Sequence, residues 1–135
     1  MNKKKLTINT DGGSRGNPGP AGIGVVIKDD AGELVYQYGG YIGETTNNTA
    51  EYKALIKALE EAGHLGATDV AINMDSELIV RQMLGQYKIK EPSLQPLAQQ
   101  VLNLLKQFQS HSFTHVRREY NKEADALVNQ ALDER

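Results

Sequence analysis

Hydrophobic and polar positions alternate along this chain with two different periods, which distinguish strands from helices. Short apolar or alternating runs bounded by turn residues are typical of strands, and apolar residues three or four positions apart indicate one face of a helix. The pattern predicts strands at residues 4–10, 23–27, 33–42, 70–74 and 113–117. It predicts helices from Thr46 or Asn47 to about residue 64, and then at residues 77–84, 94–108 and 122–132.

The order of these elements predicts the fold class. Short turns join the first three strands, which is typical of an antiparallel meander. Helices and strands alternate afterwards, as they do in α/β proteins. We therefore expect residues 1–135 to form one α/β domain, with a five-stranded mixed sheet of three antiparallel and then two parallel strands, flanked by helices.

The composition excludes several classes of protein. With 135 residues, the chain is long enough to bury a hydrophobic core as one domain. It contains no cysteine, which rules out disulfides, thiol catalysis and cysteine-ligated zinc. No segment approaches the roughly 18 apolar residues of a membrane span, and the basic N-terminus lacks the apolar region of a signal peptide. We expect a cytoplasmic protein with no membrane partner.

Four carboxylates fall where the predicted elements can bring them together. Asp11 follows the first strand and Asp75 follows the fourth, so parallel pairing of these strands would place both at one edge of the sheet. Glu51 lies in the first turns of the long helix, and Asp125 lies in the first turn of the last helix. Each acid alone has a simpler explanation, because acidic side chains are common on surfaces and favourable at helix N-termini.

The charge balance is consistent with a metal site. Four converging carboxylates without basic partners repel one another, and oxygen ligands suit hard cations such as Mg²⁺ or Mn²⁺. Two such ions can activate a water and stabilise a leaving oxygen in phosphodiester cleavage. Without these four charges the formal net charge would change from −2 to +2, so the composition does not exclude a nucleic-acid partner.

A glycine-rich segment, residues 12–22, directly follows Asp11. Glycine lets a large partner approach the backbone closely, and loops on a rigid scaffold often carry the chemistry of a protein. The same residue types are also ordinary turn formers. Both a ligand-binding loop and a plain turn therefore remain open for this segment.

Four segments resemble, in order, the motifs of type 1 ribonuclease H, and the resemblance covers essentially the whole chain. The four segments are residues 10–20, 46–51, 74–76 and 121–127. The resemblance implies cleavage of the RNA strand of an RNA/DNA hybrid with two Mg²⁺ or Mn²⁺ ions, leaving a 5′-phosphate and a 3′-hydroxyl. It implies that Asp11 and Asp75 contact both metals, that Glu51 shares the first metal and contacts a ribose hydroxyl, and that Asp125 completes the second site.

The resemblance also implies a set of substrate contacts. The glycine segment would approach the minor groove, where 2′-hydroxyls distinguish RNA from DNA. The asparagines after Thr46 carry groups that can recognise sugar or base edges, and Thr46 would hold a phosphate of the DNA strand. For Asn48, helix capping is the alternative. The expected contact residues are Gly12, Gly13, Ser14, Asn17, Thr46, Asn47 and Asn48.

Two features depart from the pattern of many family members. The basic helical protrusion between the third and fourth motifs is missing, since residues 85–96 form a short segment with only Lys88 and Lys90. The flexible loop with a histidine before the last acid is missing too. Arg118 is the nearest candidate substitute, as a phosphate or leaving-group contact, whereas His115 is expected to lie within a strand.

Two other interpretations compete with a monomeric hybrid-cleaving enzyme. A resolvase or integrase core would share the acidic site, but not the Thr-Asn-Asn context before Glu51. A catalytically weak or silent nucleic-acid-binding domain of the same fold is the second, although loss of activity usually shows as a replaced carboxylate. A P-loop NTPase is excluded because the glycine segment does not end in Gly-Lys-Ser/Thr.

Overall fold

A five-stranded mixed sheet forms the centre of the computed structural model, which describes residues 3–135. The strands are β1 (Lys5–Ser14), β2 (Gly19–Lys28), β3 (Leu34–Thr45), β4 (Asp69–Met74) and β5 (Ser110–His115). The helices are α1 (Asn47–His64), α2 (Glu77–Met83), α3 (Gln95–Leu105) and α4 (Lys122–Asp133), with a short 3-10 helix at Arg118–Tyr120. Across the sheet the strands run in the order β3-β2-β1-β4-β5. The first three pair antiparallel and β4 pairs parallel with β1 and β5, which confirms the predicted fold class.

The main hydrophobic core lies between one face of the sheet and α1. Alternate residues of β1 and β4, such as Leu6, Ile8 and Ile72, are fully buried against apolar residues of α1 such as Leu55 and Leu59. The third helix packs against α1 and extends this core. Among residues 3–135, no helix has the length and apolar content needed to cross a membrane.

The last helix packs against the other face of the sheet, over β2 and β3. Its approach depends on Gly24, because a Cβ at that position would lie only 2.2 Å from the carbonyl oxygen of Ala124. A larger residue would therefore push α4 away from the sheet. The same contact holds the first turn of α4, which carries Asp125, close to β2.

The difference from the predicted elements that matters most for the acids lies at the end of β1. The strand was expected to end at residue 10, but it continues through Asp11 to Ser14, because residues 12–14 pair with residues 21–23 of β2. The glycine-rich segment is therefore mostly a β-hairpin and not a loop. Parallel pairing of β1 with β4 does end at Thr10 opposite Met74, so Asp11 still lies at the predicted edge.

Other boundaries shift as well, and β2 begins at Gly19 and not at residue 23. The fifth strand begins at Ser110 and ends at His115, whereas residues 113–117 were expected. The third helix ends at Leu105 and not near residue 108. The 3-10 helix at Arg118–Tyr120 was not predicted, since three residues are too short for a periodic signal.

Candidate active site

Three carboxylates meet where β1 and β4 cease to pair. Asp11 and Asp75 directly follow the last parallel pair, Thr10 and Met74, as the sequence predicted. Glu51 reaches the same point from α1. One carboxylate oxygen from each of these three acids lies within 4.8 Å of the other two.

Backbone packing brings Glu51 to this point. A Cβ on Gly12 would lie 2.4 Å from the carbonyl carbon and oxygen of Ala50, so the glycine lets α1 contact β1 directly. The backbone N–H of Gly12 donates to Glu51 Oε1 at 2.7 Å. The helix itself begins at a side-chain cap, since Thr46 Oγ1 accepts a hydrogen bond from the N–H of Thr49 at 3.2 Å.

Asp125 lies beside this group but outside it. Its half-buried side chain lines the same cavity and contacts the carboxyl group of Asp11. Within residues 3–135, the group of carboxylates that share a 4.8 Å separation contains Asp11, Glu51 and Asp75 and does not include Asp125. The Asp125 carboxylate accepts a hydrogen bond from Asn129 Nδ2 at 3.3 Å.

Burial and mutual repulsion make these acids hard to ionise. Only 8% of Asp11 and 6% of Glu51 is exposed to solvent. Burial raises the pKa of Asp11 to about 9, and the charges of Glu51 and Asp75 act in the same direction. Burial also raises the pKa of Glu51 to about 8, with the charge of Asp75 adding to it and the N–H of Gly12 opposing it. Burial raises the pKa of Asp75, while contacts with Asn121 and the charge of Arg118 partly offset this effect.

The donor set fits a hard divalent cation. All of the convergent ligand atoms are carboxylate oxygens, which are the ligands that Mg²⁺ and Mn²⁺ prefer. A cation would replace the missing positive charge beside Asp11 and Glu51 and so return their pKa values toward the ordinary range. The acids are therefore compatible with a divalent metal site.

A buried amide that the sequence analysis did not single out lies beside Asp75 and lowers the pKa of that carboxyl group. Asn121 is 2% exposed; its Nδ2 donates to the carbonyl oxygen of Thr10 at 2.9 Å, and its Oδ1 accepts from Asn9 Nδ2 at 3.0 Å. Asn9 Oδ1 in turn accepts from Asn73 Nδ2 at 3.4 Å. These amides connect β4, β1 and the start of α4.

The signal for this network is visible only once the strand register is known. Asn9 and Asn73 are paired in the β1–β4 ladder, two residues before Asp11 and Asp75. An asparagine just before a helix normally indicates a cap, yet Asn121 makes no side-chain capping bond to α4. Its buried position shows that it holds strands and helix together.

The predicted substrate residues divide into two groups. An open cavity of about 410 Å³ surrounds the carboxylates. Its lining includes Gly12, Gly13, Ser14, Asn47 and Asn48. Asn17 and Thr46, both within the described residues, lie outside this lining. Asn17 Oδ1 accepts from the N–H of Asn47 at 3.0 Å, and Thr46 forms the helix cap.

Two of the lining residues are joined to each other. Asn47 Oδ1 accepts from the N–H of Ser14 at 2.7 Å, which fastens the hairpin to the start of α1. Asn48 is half-buried and has no side-chain hydrogen bond to any residue in 3–135. The capping alternative for Asn48 is wrong, since Thr46 is the cap.

The basic residues of this region take different positions. Arg118 lines the cavity, and its charge lowers the pKa of Asp75. His115 ends β5 and is exposed outside the cavity lining, as expected for a strand residue. Lys88 and Lys90 line a neighbouring groove that shares Asn48 with the cavity.

Comparisons with known proteins agree with this geometry. A family model described as "Reverse transcriptase-like" matches residues 9–131. The chain is 46% identical over 130 residues to "Bifunctional protein Rv2228c" of Mycobacterium tuberculosis, covering 96% of this chain and 36% of that protein. It is 45% identical over 124 residues to "Ribonuclease HI" of Halobacterium salinarum, covering 92% of this chain and 62% of the relative. The chain thus spans between about a third and two thirds of the length of these relatives.

Solved structures show the same fold over nearly the whole chain. The crystal structure of RNase H1 from Halobacterium salinarum NRC-1 matches with a TM-score of 0.94 and 43% identity, covering 97% of this chain and 99% of that one. LC11-RNase H1, crystallised in complex with an RNA/DNA hybrid, matches with a TM-score of 0.91 and 50% identity, covering 96% of this chain and 97% of that one.

The raised pKa values predict how the metal-free protein responds to pH. A carboxyl group whose pKa is higher in the folded state favours folding while it is protonated. Its contribution to the free energy of unfolding is fully present below the pKa of the unfolded state, about 4. It is lost as the pH rises through the pKa of the folded state. In thermal unfolding with chelator, the free energy of unfolding should therefore fall by on the order of a few kcal/mol between pH 4 and about pH 9. At the upper end of this range Asp11 loses its proton beside Glu51, Asp75 and Asp125.

Variants of single acids test the cause of this loss. Asp11→Asn cannot ionise, so its stability in chelator should fall less with rising pH than that of the wild type. Mg²⁺ or Mn²⁺ should also stabilise it less; metal at 100 times its Kd would add about 2.7 kcal/mol to the wild type. Asp30→Asn, in an exposed turn, is the control and should follow the wild type. Parallel pH curves for wild type and Asp11→Asn would contradict a crowded acid site.

The Asn121 network predicts a second effect. Asn121→Ala leaves the carbonyl of Thr10 and the amide of Asn9 without their buried partner, which should cost about 2–3 kcal/mol of unfolding free energy. It should also weaken Mn²⁺ binding, measured by calorimetry without substrate, because Asp75 loses its support. Asn103→Ala, exposed on α3, should change neither quantity. Unchanged Mn²⁺ affinity in folded Asn121→Ala would show that the amide has no influence on Asp75.

Proposed function

This chain belongs to the type 1 ribonuclease H family, and from that premise we propose that it cleaves the RNA strand of RNA/DNA hybrids. The observation that carries the proposal is the meeting of Asp11, Glu51 and Asp75 within 4.8 Å, in an open cavity bordered by a glycine hairpin. The RNA/DNA hybrid bound to LC11-RNase H1, a protein 50% identical to this chain, supports the substrate class. We also propose that residues 1–135 act as one domain and as a monomer.

The same acids are proposed to hold two Mg²⁺ or Mn²⁺ ions. Asp11, Glu51 and Asp75 would supply ligands to the first, and Asp125 would complete the second site together with Asp11 and Asp75. When bound, the ions would activate a water and stabilise the leaving 3′ oxygen, giving a 5′-phosphate and a 3′-hydroxyl.

The surrounding residues keep these acids in position. The N–H of Gly12 and the hydroxyl of Ser76 contact the carboxylate of Glu51. Asn121 and Arg118 stabilise the charged form of Asp75, and Asn129 donates to Asp125. The acids are thus held in place by contacts from four different segments, which lowers the cost of assembling the site when metal and substrate arrive.

Substrate recognition is proposed to follow the ribose. The hairpin residues Gly12 and Gly13 present backbone without side chains, which suits close approach to a minor groove lined by 2′-hydroxyls. Asn48 lies in the cavity wall, its amide makes no hydrogen bond to another side chain or backbone group of residues 3–135, and it is the best-placed donor and acceptor for a sugar or base edge. Asn47 and Asn17 contribute by fastening the hairpin to α1.

The remaining predicted contacts are proposed to lie near the phosphates. Thr46 would meet a phosphate of the DNA strand at the N-terminus of α1, where backbone N–H groups also favour an anion. Arg118 would contact a phosphate or the leaving group, because it lies on the cavity wall beside Asp75.

Asp75→Asn tests the reaction itself. The change keeps the shape of the side chain and removes a negative ligand, so cleavage of a labelled RNA/DNA hybrid should fall more than ten-fold at saturating Mg²⁺ or Mn²⁺. Hybrid binding in chelator should remain, and Asp30→Asn should behave as the wild type.

RNA/RNA and DNA/DNA duplexes assayed in parallel define the substrate, with little attack on DNA expected. A wild-type chain that binds the hybrid without cutting it would instead support the silent nucleic-acid-binding alternative.

Arg118→Ala tests the neighbouring guanidinium. Loss of one electrostatic contact to the reacting region should lower kcat by roughly 10- to 100-fold. Arg118→Lys should restore part of this loss, since lysine has the charge but not the planar fork. The matched control is Arg117→Ala, which removes an exposed arginine paired with Glu119 at 3.8 Å and outside the cavity lining. Equal kinetics for Arg118→Ala and Arg117→Ala would place Arg118 outside the reaction.

A further inference from the structure

The cavity wall contains a second arginine that the proposed reaction does not use. Arg15 follows β1 at the tip of the β1–β2 hairpin, where its backbone N–H donates to the carbonyl of Pro20 at 2.8 Å. Its side chain lines the same cavity as the four acids. Among residues 3–135, Arg15 and Arg118 are the two cationic residues in that lining.

Arg15 is held by an ion pair with the last turn of α4. Its Nη2 lies 2.7 Å from Asp133 Oδ1 and 3.5 Å from the carbonyl oxygen of Asn129. The side chain of Arg15 is 44% exposed and that of Asp133 is 64% exposed. Ion pairs as exposed as this one contribute little to folding, because water and salt compete with them. Asp133 itself lies outside the cavity lining, so the pair joins a cavity residue to a carboxylate beyond the rim.

The two arginines lie near opposite ends of α4. Arg118 precedes the first turn of the helix, whereas Arg15 contacts its last turns. The eight residue steps from Asp125 to Asp133 span about 12 Å of helix axis. That length corresponds to roughly three to four nucleotides along one strand of a duplex.

We propose that Arg15 binds a backbone phosphate of the hybrid about three to four nucleotides from the cleavage point, and that Asp133 competes with that phosphate in the free protein. The proposal rests on the function proposed above. A guanidinium offers two parallel N–H donors to a phosphate, as it does to a carboxylate, so it can exchange one partner for the other without changing its position on the hairpin.

Because Asp133 and the phosphate compete for Arg15, substitutions of the two residues should change hybrid affinity in opposite directions. Removing Arg15 deletes a phosphate contact and should weaken binding. Removing the charge of Asp133 frees the guanidinium and removes a negative charge near the substrate, and should strengthen binding. A purely structural ion pair would instead respond in the same way to the loss of either partner.

Hybrid affinity measured by fluorescence anisotropy in chelator tests this prediction without any cleavage. Arg15→Ala should raise the Kd about three- to ten-fold and reduce the slope of log affinity against log salt by about one. Asp133→Asn should lower the Kd about two- to five-fold, and the double variant should resemble Arg15→Ala. With Mg²⁺ present, Arg15→Ala should raise KM and leave kcat unchanged.

The ion pair between Lys28 and Glu123 is a matched control. It also joins β-sheet to α4, at 2.8 Å and with side chains 37% and 64% exposed, but it lies outside the cavity lining. Lys28→Ala and Glu123→Gln should leave Kd and salt slope unchanged. If Arg15→Ala and Asp133→Asn both weaken binding, or if both change only the melting temperature, the competition between Asp133 and a phosphate is overturned.

Hybrids with single neutral methylphosphonate linkages locate the phosphate. One linkage three to four nucleotides from the cut should weaken binding to the wild type and leave binding to Arg15→Ala unchanged. If no linkage distinguishes the two proteins, the phosphate contact is overturned.

Binding with the expected Arg15 effects but without cleavage would overturn the proposed function alone, whereas cleavage with a neutral Arg15→Ala would overturn this inference alone. Failure of the wild type to bind the hybrid would overturn both.

Discussion

The close packing of α1 on β1 at Gly12 is the constraint on which the site depends. Since the glycine has no Cβ, the backbone at Ala50 and Glu51 rests directly on the strand. The position of Glu51 relative to Asp11 is therefore set by backbone contact and by the Gly12 N–H, and not by a flexible side chain. Two acids that repel each other are kept together by the packing energy of a whole helix.

A second contact of the same kind acts on the opposite face of the sheet. At Gly24 the carbonyl of Ala124 takes the place that a side chain would fill, and the next residue of the helix is Asp125. Helices on both faces thus deliver one acid each to the edge where β1 and β4 supply the other two. The buried amide of Asn121 joins this edge to the start of α4, so the geometry of the acids is shared by the sheet and by both helices.

The parts of this arrangement that follow from local pattern could be predicted from the sequence. The spacing of apolar residues is sufficient to predict the strands of the sheet. Parallel pairing of β1 and β4 alone predicted that Asp11 and Asp75 lie at the same edge of the sheet. The predicted end of β1 was wrong, because a glycine-rich segment typical of a loop can pair as a hairpin when a partner strand is present. The role of Asn121 depends on contacts over more than a hundred residues of chain, which no local pattern contains. Asp11, Glu51 and Asp75 were confirmed as close neighbours, and Asp125 lines the same cavity; the catalytic roles of all four stay predictions.

The origin of the four acids in four separate elements has a consequence for the order in which the chain matures. Translation supplies Asp11, Glu51 and Asp75 long before α4, and domains fold largely from the N-terminal side as they are made. A nascent chain that has reached β5 carries three acids but lacks Asp125 and the helix that covers Gly24. The complete acid set therefore exists only after α4 has docked, so any metal site that needs all four acids would form last, when the fold around it is finished.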